Sequence, residues 1–233
     1  MISLKTAETI IAFVSFAFAY IVSTTTSGYV QAWAAHKMGD DTPAQVGYYS
    51  WDPFVHVDPL GALFFMYAGI GWVRFIPLNP HNLPTIWRRA VVYLSRSVAY
   101  FFVALSALIV LVRICGTELV TTAMKMAHSG YLSLNALAAC VSADSSWMLA
   151  LTLLLVVMIY LSIIMGVLSL ILDGFRFVAV TFFPDNDLFK EGELMSIIIP
   201  LFFIIFFTYS LRMVALNGIS YLGFFISSFL GAS

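Results

Sequence analysis

The sequence predicts an all-α polytopic integral membrane protein, on three observations. Hydrophobic residues make up 61% of the chain and charged residues only 10%, too little polar surface to cover a fold in water. Four apolar stretches reach the roughly 20 residues that a helix needs to cross a bilayer. Eleven Lys and Arg against twelve Asp and Glu leave a net charge of −1, which excludes a basic field for nucleic acid and a polyanionic tail. The expected partners are other integral membrane proteins and lipids, and not nucleic acid.

The four spans run from about Ala7 to Lys37, Ala90 to Ile114, Trp147 to Leu172 and Met195 to Val214. The first continues well past the length of a signal-peptide core without a small-residue cleavage site, so it reads as a retained helix. Between the first two spans, Met38 to Trp87 carries Pro43, Pro53, Pro59, Pro77, Pro80 and Pro84. That density precludes a long helix and implies extended or turn structure, either a structured cytoplasmic loop that covers or plugs a membrane opening or an ordinary interfacial linker. Within it, Leu60 to Val73 is apolar but short, contains Gly61, Gly69 and Gly71, and is bounded by Pro59 and Pro77; it suits a re-entrant or interfacial element. Trp51, Phe54, Trp72 and Trp87 suit a belt at the headgroups. The tail from Leu216 to Leu230 reads as a short final helix. With no internal repeat and no soluble domain, residues 1–233 read as a single membrane domain.

Charge sets the orientation. If Leu60 to Val73 does not cross, Lys37, Arg74, Arg88, Arg89, Arg96, Arg176 and Lys190 fall on one side, and Lys5, Arg113, Lys125 and Arg212 on the other. The excess makes the first side cytoplasmic, so the 38–89 loop lies inside and the N-terminus outside. Cys115 and Cys140 then both face the outer compartment, where they form either a disulfide or two unpaired thiols.

Several segments, in order, resemble the small prokaryotic site-2 protease family of intramembrane zinc metalloproteases. Ala32-Trp33-Ala34-Ala35-His36-Lys37-Met38-Gly39-Asp40-Asp41-Thr42-Pro43-Ala44 looks like that family's continuation after its HExxH motif. Asp52-Pro53-Phe54-Val55-His56-Val57-Asp58-Pro59-Leu60-Gly61 is similar to its NPxxHIDPxG loop, and Gly71-Trp72-Val73-Arg74-Phe75-Ile76-Pro77-Leu78-Asn79-Pro80-His81-Asn82-Leu83 to its GWAKPVPVNPxNL segment. Leu172-Asp173-Gly174 resembles its LDG motif. The resemblance implies a site-2-protease-like core of three helices that brings the HExxH and LDG helices together, with a re-entrant segment and additional C-terminal helices.

The departures fall on the chemistry. By register, the family's first ligand His falls on Ser27, its catalytic Glu on Gly28 and its second ligand His on Gln31; only the third ligand, Asp173, remains. A catalytic zinc site needs three protein ligands, a polarised water and a carboxylate to take that water's proton. Ser and Gln are poor zinc ligands, and Gly28 cannot act as a base. The family's NLLPxPP run before LDG has become Met165-Gly166-Val167-Leu168-Ser169-Leu170-Ile171. Without those prolines a continuous helix is expected, narrowing the gap where a substrate strand would lie. The expectation is therefore no catalytic residue, no metal site and no cofactor.

The AGPxxN motif has become Ser95-Arg96-Ser97-Val98-Ala99-Tyr100. Arg96 inside a hydrophobic run faces the protein interior or finds a partner. In one reading it gives Asp173 the positive charge that a metal once supplied, as an Arg96–Asp173 ion pair. In the other, Arg96 snorkels to the headgroups while Asp173 pairs with Arg176 or caps a helix end. Among the histidines, His36, His56, His81 and His128, no pair has the i, i+4 spacing that holds a metal on one helix, which favours hydrogen bonding in loops over ligation. Ser27 has no evident base, and Thr24 to Ser27 are expected to bond back to helix carbonyls.

Three functions compete. The preferred one is a catalytically inactive site-2-protease-like membrane protein acting as a subunit, adaptor or regulator that binds other membrane proteins. The alternatives are an active intramembrane metalloprotease with non-standard metal ligands and a transporter or channel component, the last suggested by intramembrane Arg96, Asp173 and the re-entrant segment.

Overall fold

The structure is a computed structural model and describes residues 4–68, 72–129 and 146–183. The expected spans 195–214 and 216–230 and Cys140 lie outside these residues. The described chain is all-α: α1 (Leu4–Met38), α2 (Thr42–Gln45), α3 (Pro53–His56), α4 (Pro59–Ala68), a 3-10 turn at Pro80–Asn82, α5 (Ile86–Ser129) and α6 (Ser146–Phe182). Among the described residues, three stretches are long and apolar enough to cross a membrane: Phe13–Met38, Ile86–Gly116 and Ala150–Phe182.

Local chemistry sets the boundaries. α1 ends in a Schellman motif: Gly39, at φ 104°, takes the left-handed conformation, its N–H donates to His36 O, and the Asp40 N–H donates to Ala35 O at 2.9 Å. α5 begins after Pro84, with Thr85 Oγ1 accepting from the Arg88 N–H, the arrangement of an N-cap. It starts earlier and ends later than expected, and breaks at Gly116 (φ 71°, ψ 171°), a backbone conformation that favours glycine. α6 runs well past the expected end at Leu172. Asp173 and Arg176, three residues apart, lie on one buried face and approach each other, so these charges do not stop the helix. α6 is continuous through 165–174.

The short elements are capped by side chains. Asp52 accepts from the Phe54 N–H at 3.0 Å to open α3, and Asp58 accepts from the Gly61 N–H at 2.7 Å to open α4. Proline stands at the first helical position of both α3 and α4, where its missing N–H costs no hydrogen bond. The ten residues of α4 span about 15 Å, half of the ~30 Å hydrocarbon core. Val57 and Val73 form an antiparallel bridge, reinforced by Arg74 N–H donating to His56 O at 3.0 Å. The segment that leads into α4 and the one that resumes at Trp72 thus lie side by side. Gly61 fits there because any Cβ would overlap the Trp72 backbone.

The described chain divides into two compact units. One comprises residues 4–21, 102–129 and 146–163, with Leu108, Leu111, Val156 and Ile159 fully or nearly fully buried and Cys115 Sγ 3.3 Å from Thr152 Oγ1. Among the described residues Cys115 has no disulfide partner. The other unit comprises residues 22–68, 72–101 and 164–183 and contains every candidate site residue except the cysteines. Its core includes Ala35, Leu83 and Val92, with Met38 and Leu78 packed against them. A Cβ on Gly166 would lie 2.9 Å from the Phe101 ring, so this glycine lets α6 approach α5 closely.

Candidate functional site

Ser27, Gly28 and Gln31 lie in the C-terminal half of α1 and are all buried. Ser27 Oγ donates to Thr24 O at 3.0 Å, the back-bonding usual for a helical serine, and the Ser27 side chain adjoins the Tyr100 hydroxyl. Gln31 Nε2 donates to Val92 O on α5 at 3.3 Å, while its Oε1 has no hydrogen-bond partner among the described residues. Gly28 faces His56. A Cβ built on Gly28 would overlap the imidazole, with Cγ of the ring at 2.8 Å.

His56 is held in that position from both sides. Its Nε2 lies 2.7 Å from Ser50 O; a carbonyl only accepts, so Nε2 carries the proton and donates. The segment supplying Ser50 is fixed to α1 by aromatic contacts: Tyr29 stacks on Trp51 at 4.3 Å and on Tyr49 at 5.3 Å between ring centroids. His56 Nδ1 is buried without a hydrogen-bond partner among the described residues. Burial lowers the imidazole pKa first, and the Arg96 charge adds to this, against the opposing pull of the Ser50 carbonyl and Asp52. His56 is therefore neutral at pH 7.

Asp173 is fully buried. Its Oδ2 accepts from Ser169 Oγ at 2.8 Å. Two guanidiniums flank it: Arg96 Nε lies 3.8 Å from Oδ2 and Arg176 Nη1 lies 3.9 Å from Oδ1. Both separations exceed the 2.7–2.9 Å of a charge-assisted hydrogen bond, so the attraction is through space. Arg96 is only 3% exposed and does not reach outward to headgroups. Its Nη2 approaches Arg74 O at 3.5 Å. Arg176 lies over the Phe75 ring at 5.2 Å and the Tyr93 ring at 5.8 Å, where the π faces carry part of its charge. Arg96, Tyr100, Ser169 and Asp173 line one cleft, together with apolar side chains that include Phe75 and Leu168.

The residues at the family's metal positions do not fit a catalytic zinc. Gly28 offers no base and is covered by His56; Ser27 donates its hydroxyl proton to a carbonyl. Asp173 has two cationic groups within 4 Å, which repel a dication. Among the described residues, no group of three His, Cys, Asp or Glu is placed to hold a metal. His36 is turned elsewhere, pairing with Asp41 and stacking on Tyr49. His81 is exposed, and the side chain of His128 lies outside the described set.

Asp40 is a central residue that the sequence reading passed over. It is fully buried and accepts from Thr42 Oγ1 at 2.6 Å, Thr42 N–H at 3.1 Å, Asn79 N–H at 2.8 Å and Asn82 Nδ2 at 3.0 Å. It ties the end of α1 to the 79–82 turn, and with it the start of α5. Its signal in the sequence was the pairing of Gly39-Asp40, just after a helix, with a distant Asn79-Pro80-His81-Asn82 turn.

The chain is similar to the "Putative zinc metalloprotease YwhC" of Bacillus subtilis (strain 168), at 42% identity over 59 residues. That match covers 25% of this chain and 27% of the relative, so it spans about a quarter of the curated protein. No family model matches the chain, and no solved structure matches it. The similarity supports a metalloprotease-like family and reaches no further.

Proposed function

We propose that the chain is a catalytically inactive, site-2-protease-like membrane protein that serves as a subunit, adaptor or regulator by binding other membrane proteins. The observation that carries this reading is the grouping of Arg96 and Arg176 about Asp173. The carboxylate that would complete a metal site is neutralised by guanidiniums, and the position of the base is Gly28, packed under His56. A framework that has lost cleavage keeps the surfaces by which it receives a membrane segment. Lipids fill the remaining apolar surface.

The test is purification of the full chain in mild detergent, followed by identification of co-purifying membrane proteins, metal analysis and a cleavage assay against Asp173→Ala. A stable stoichiometric partner, no bound zinc and no Asp173-dependent cleavage are expected. A metal-loaded chain whose cleavage disappears in Asp173→Ala, or a monodisperse lone chain, overturns the proposal.

A further inference from the structure

Among the described residues, the charge in the cleft does not balance. Asp173 is one carboxylate between two guanidiniums, Arg96 and Arg176, at 3.8 and 3.9 Å. All three side chains are at least nine-tenths buried, where an uncompensated charge is expensive. The two cations are not equivalent. Arg176 is sandwiched against Phe75 and Tyr93, so π faces offset part of its charge. Arg96 has no aromatic contact of that kind among the described residues. Among the described residues its Nε has no hydrogen-bond partner, and the guanidinium's contact with Arg74 O lies at the 3.5 Å limit. The other buried carboxylate among the described residues of this unit, Asp40, spends its oxygens on the neutral donors Thr42, Asn79 and Asn82 and lends nothing to Arg96.

Arg96 lines the cleft with Tyr100, Ser169, Asp173 and an apolar wall. The enclosed room is about 10 Å³, enough for about one water-sized group. That room suits the tip of one carboxylate entering from the open side. With an apolar wall around the mouth, such a carboxylate arrives most cheaply on an apolar carrier.

We infer that this cleft is an anion-receiving site in which Arg96 takes the carboxylate of an acidic side chain on the membrane helix of a partner protein. The incoming group supplies the missing negative charge and accepts from the Arg96 Nε–H, giving a two-guanidinium, two-carboxylate cluster. This inference rests on the partner-binding reading above and names the chemistry of the partner.

The test uses the full chain in zwitterionic nanodiscs with synthetic Leu/Ala transmembrane peptides that carry either one Glu or one Gln at the same depth, with association read by energy transfer. The Glu peptide is expected to bind about tenfold more tightly than the Gln peptide, the scale of one desolvated charge pair. The preference is lost in Arg96→Gln and retained in Arg96→Lys. Ser169→Asp, which places a second carboxylate next to Asp173 from within the chain, is expected to raise the Tm and abolish the preference. This variant keeps the inference open to refutation if Arg96→Gln does not fold. Equal binding of the two peptides overturns the anion site while leaving helix binding intact; a lowered Tm in Ser169→Asp, or binding by neither peptide, also overturns it. If anionic lipid added to the nanodiscs binds in an Arg96-dependent manner and displaces the Glu peptide, the occupant is a lipid phosphate and the acidic-helix assignment fails.

Discussion

The imidazole of His56 occupies the space that any side chain on Gly28 would need. The contact joins two segments: the helix on which the resemblance places the family's base at Gly28, and the proline-rich loop that carries His56. With the base position reduced to a hydrogen atom, the loop closes directly onto the helix backbone.

Gly28→Ala is expected to destabilise the protein although alanine is the better helix former. The propensity gain is about 1 kcal/mol, while forcing a methyl group into a filled site costs about 1–3 kcal/mol and displaces His56 from Ser50. Thermal unfolding in detergent should show a lower Tm. The double variant Gly28→Ala/His56→Ala should recover part of that loss, because the colliding ring is gone.

Removing Asp173 is expected to cost about 3–5 kcal/mol, the usual penalty for leaving buried charges without their partner, because it strands both guanidiniums. Removing Arg96 should cost less, because Asp173 keeps Arg176 at 3.9 Å. Both side chains are almost fully buried, so solvent screening gives little relief. Arg96→Leu and Asp173→Asn should each lower membrane accumulation and Tm. The double variant should lose less than the sum of the two, as a double-mutant cycle would show. Unchanged accumulation in Arg96→Leu would show that the pair is not coupled.

His56 links stability to pH. Its folded pKa is lowered, chiefly by burial, so the unfolded chain binds the proton more readily than the native one. This contribution is complete above the unfolded value of about 6.5 and is lost as pH falls from there through the folded pKa. Equilibrium unfolding between pH 7.5 and pH 5 should show the wild type weakening on acidification. His56→Gln should show a smaller slope across that window.

Asp40→Ala is expected to destabilise by about 1–3 kcal/mol, because it strands the donors of Asn79 and Asn82. The loss should appear first as faster hydrogen exchange at the Asn79 amide, before global unfolding. Asp40→Asn, which keeps acceptor capacity on one oxygen, should lose less.

The apolar runs made the three long helices legible, because a stretch of about 20 apolar residues has few alternatives in a bilayer. Helix ends were less legible. The third span was expected to end at Leu172, but α6 continues to Phe182, with Asp173 and Arg176 in mutual contact on its buried face. The shortness and glycine content of the 60–73 run suggested a segment that does not cross, and the Val57–Val73 bridge shows how its two ends meet. The seat of His56 on Gly28 and the four donors on Asp40 were hidden for a common reason. Each depends on how the loop folds back onto α1, and no periodicity or local spacing encodes that return.

The unbroken course of α6 past Asp173 also bears on the form in which a guest could be held. A helix interior spends its N–H and C=O groups on its own turns, so α6 has no spare backbone groups over 165–174 with which to zip an unwound strand. A visiting membrane helix that meets this face can be read through side chains alone, and it keeps its own hydrogen bonds intact. Such an encounter asks for no local melting of the visitor, which arrives and departs with the same secondary structure.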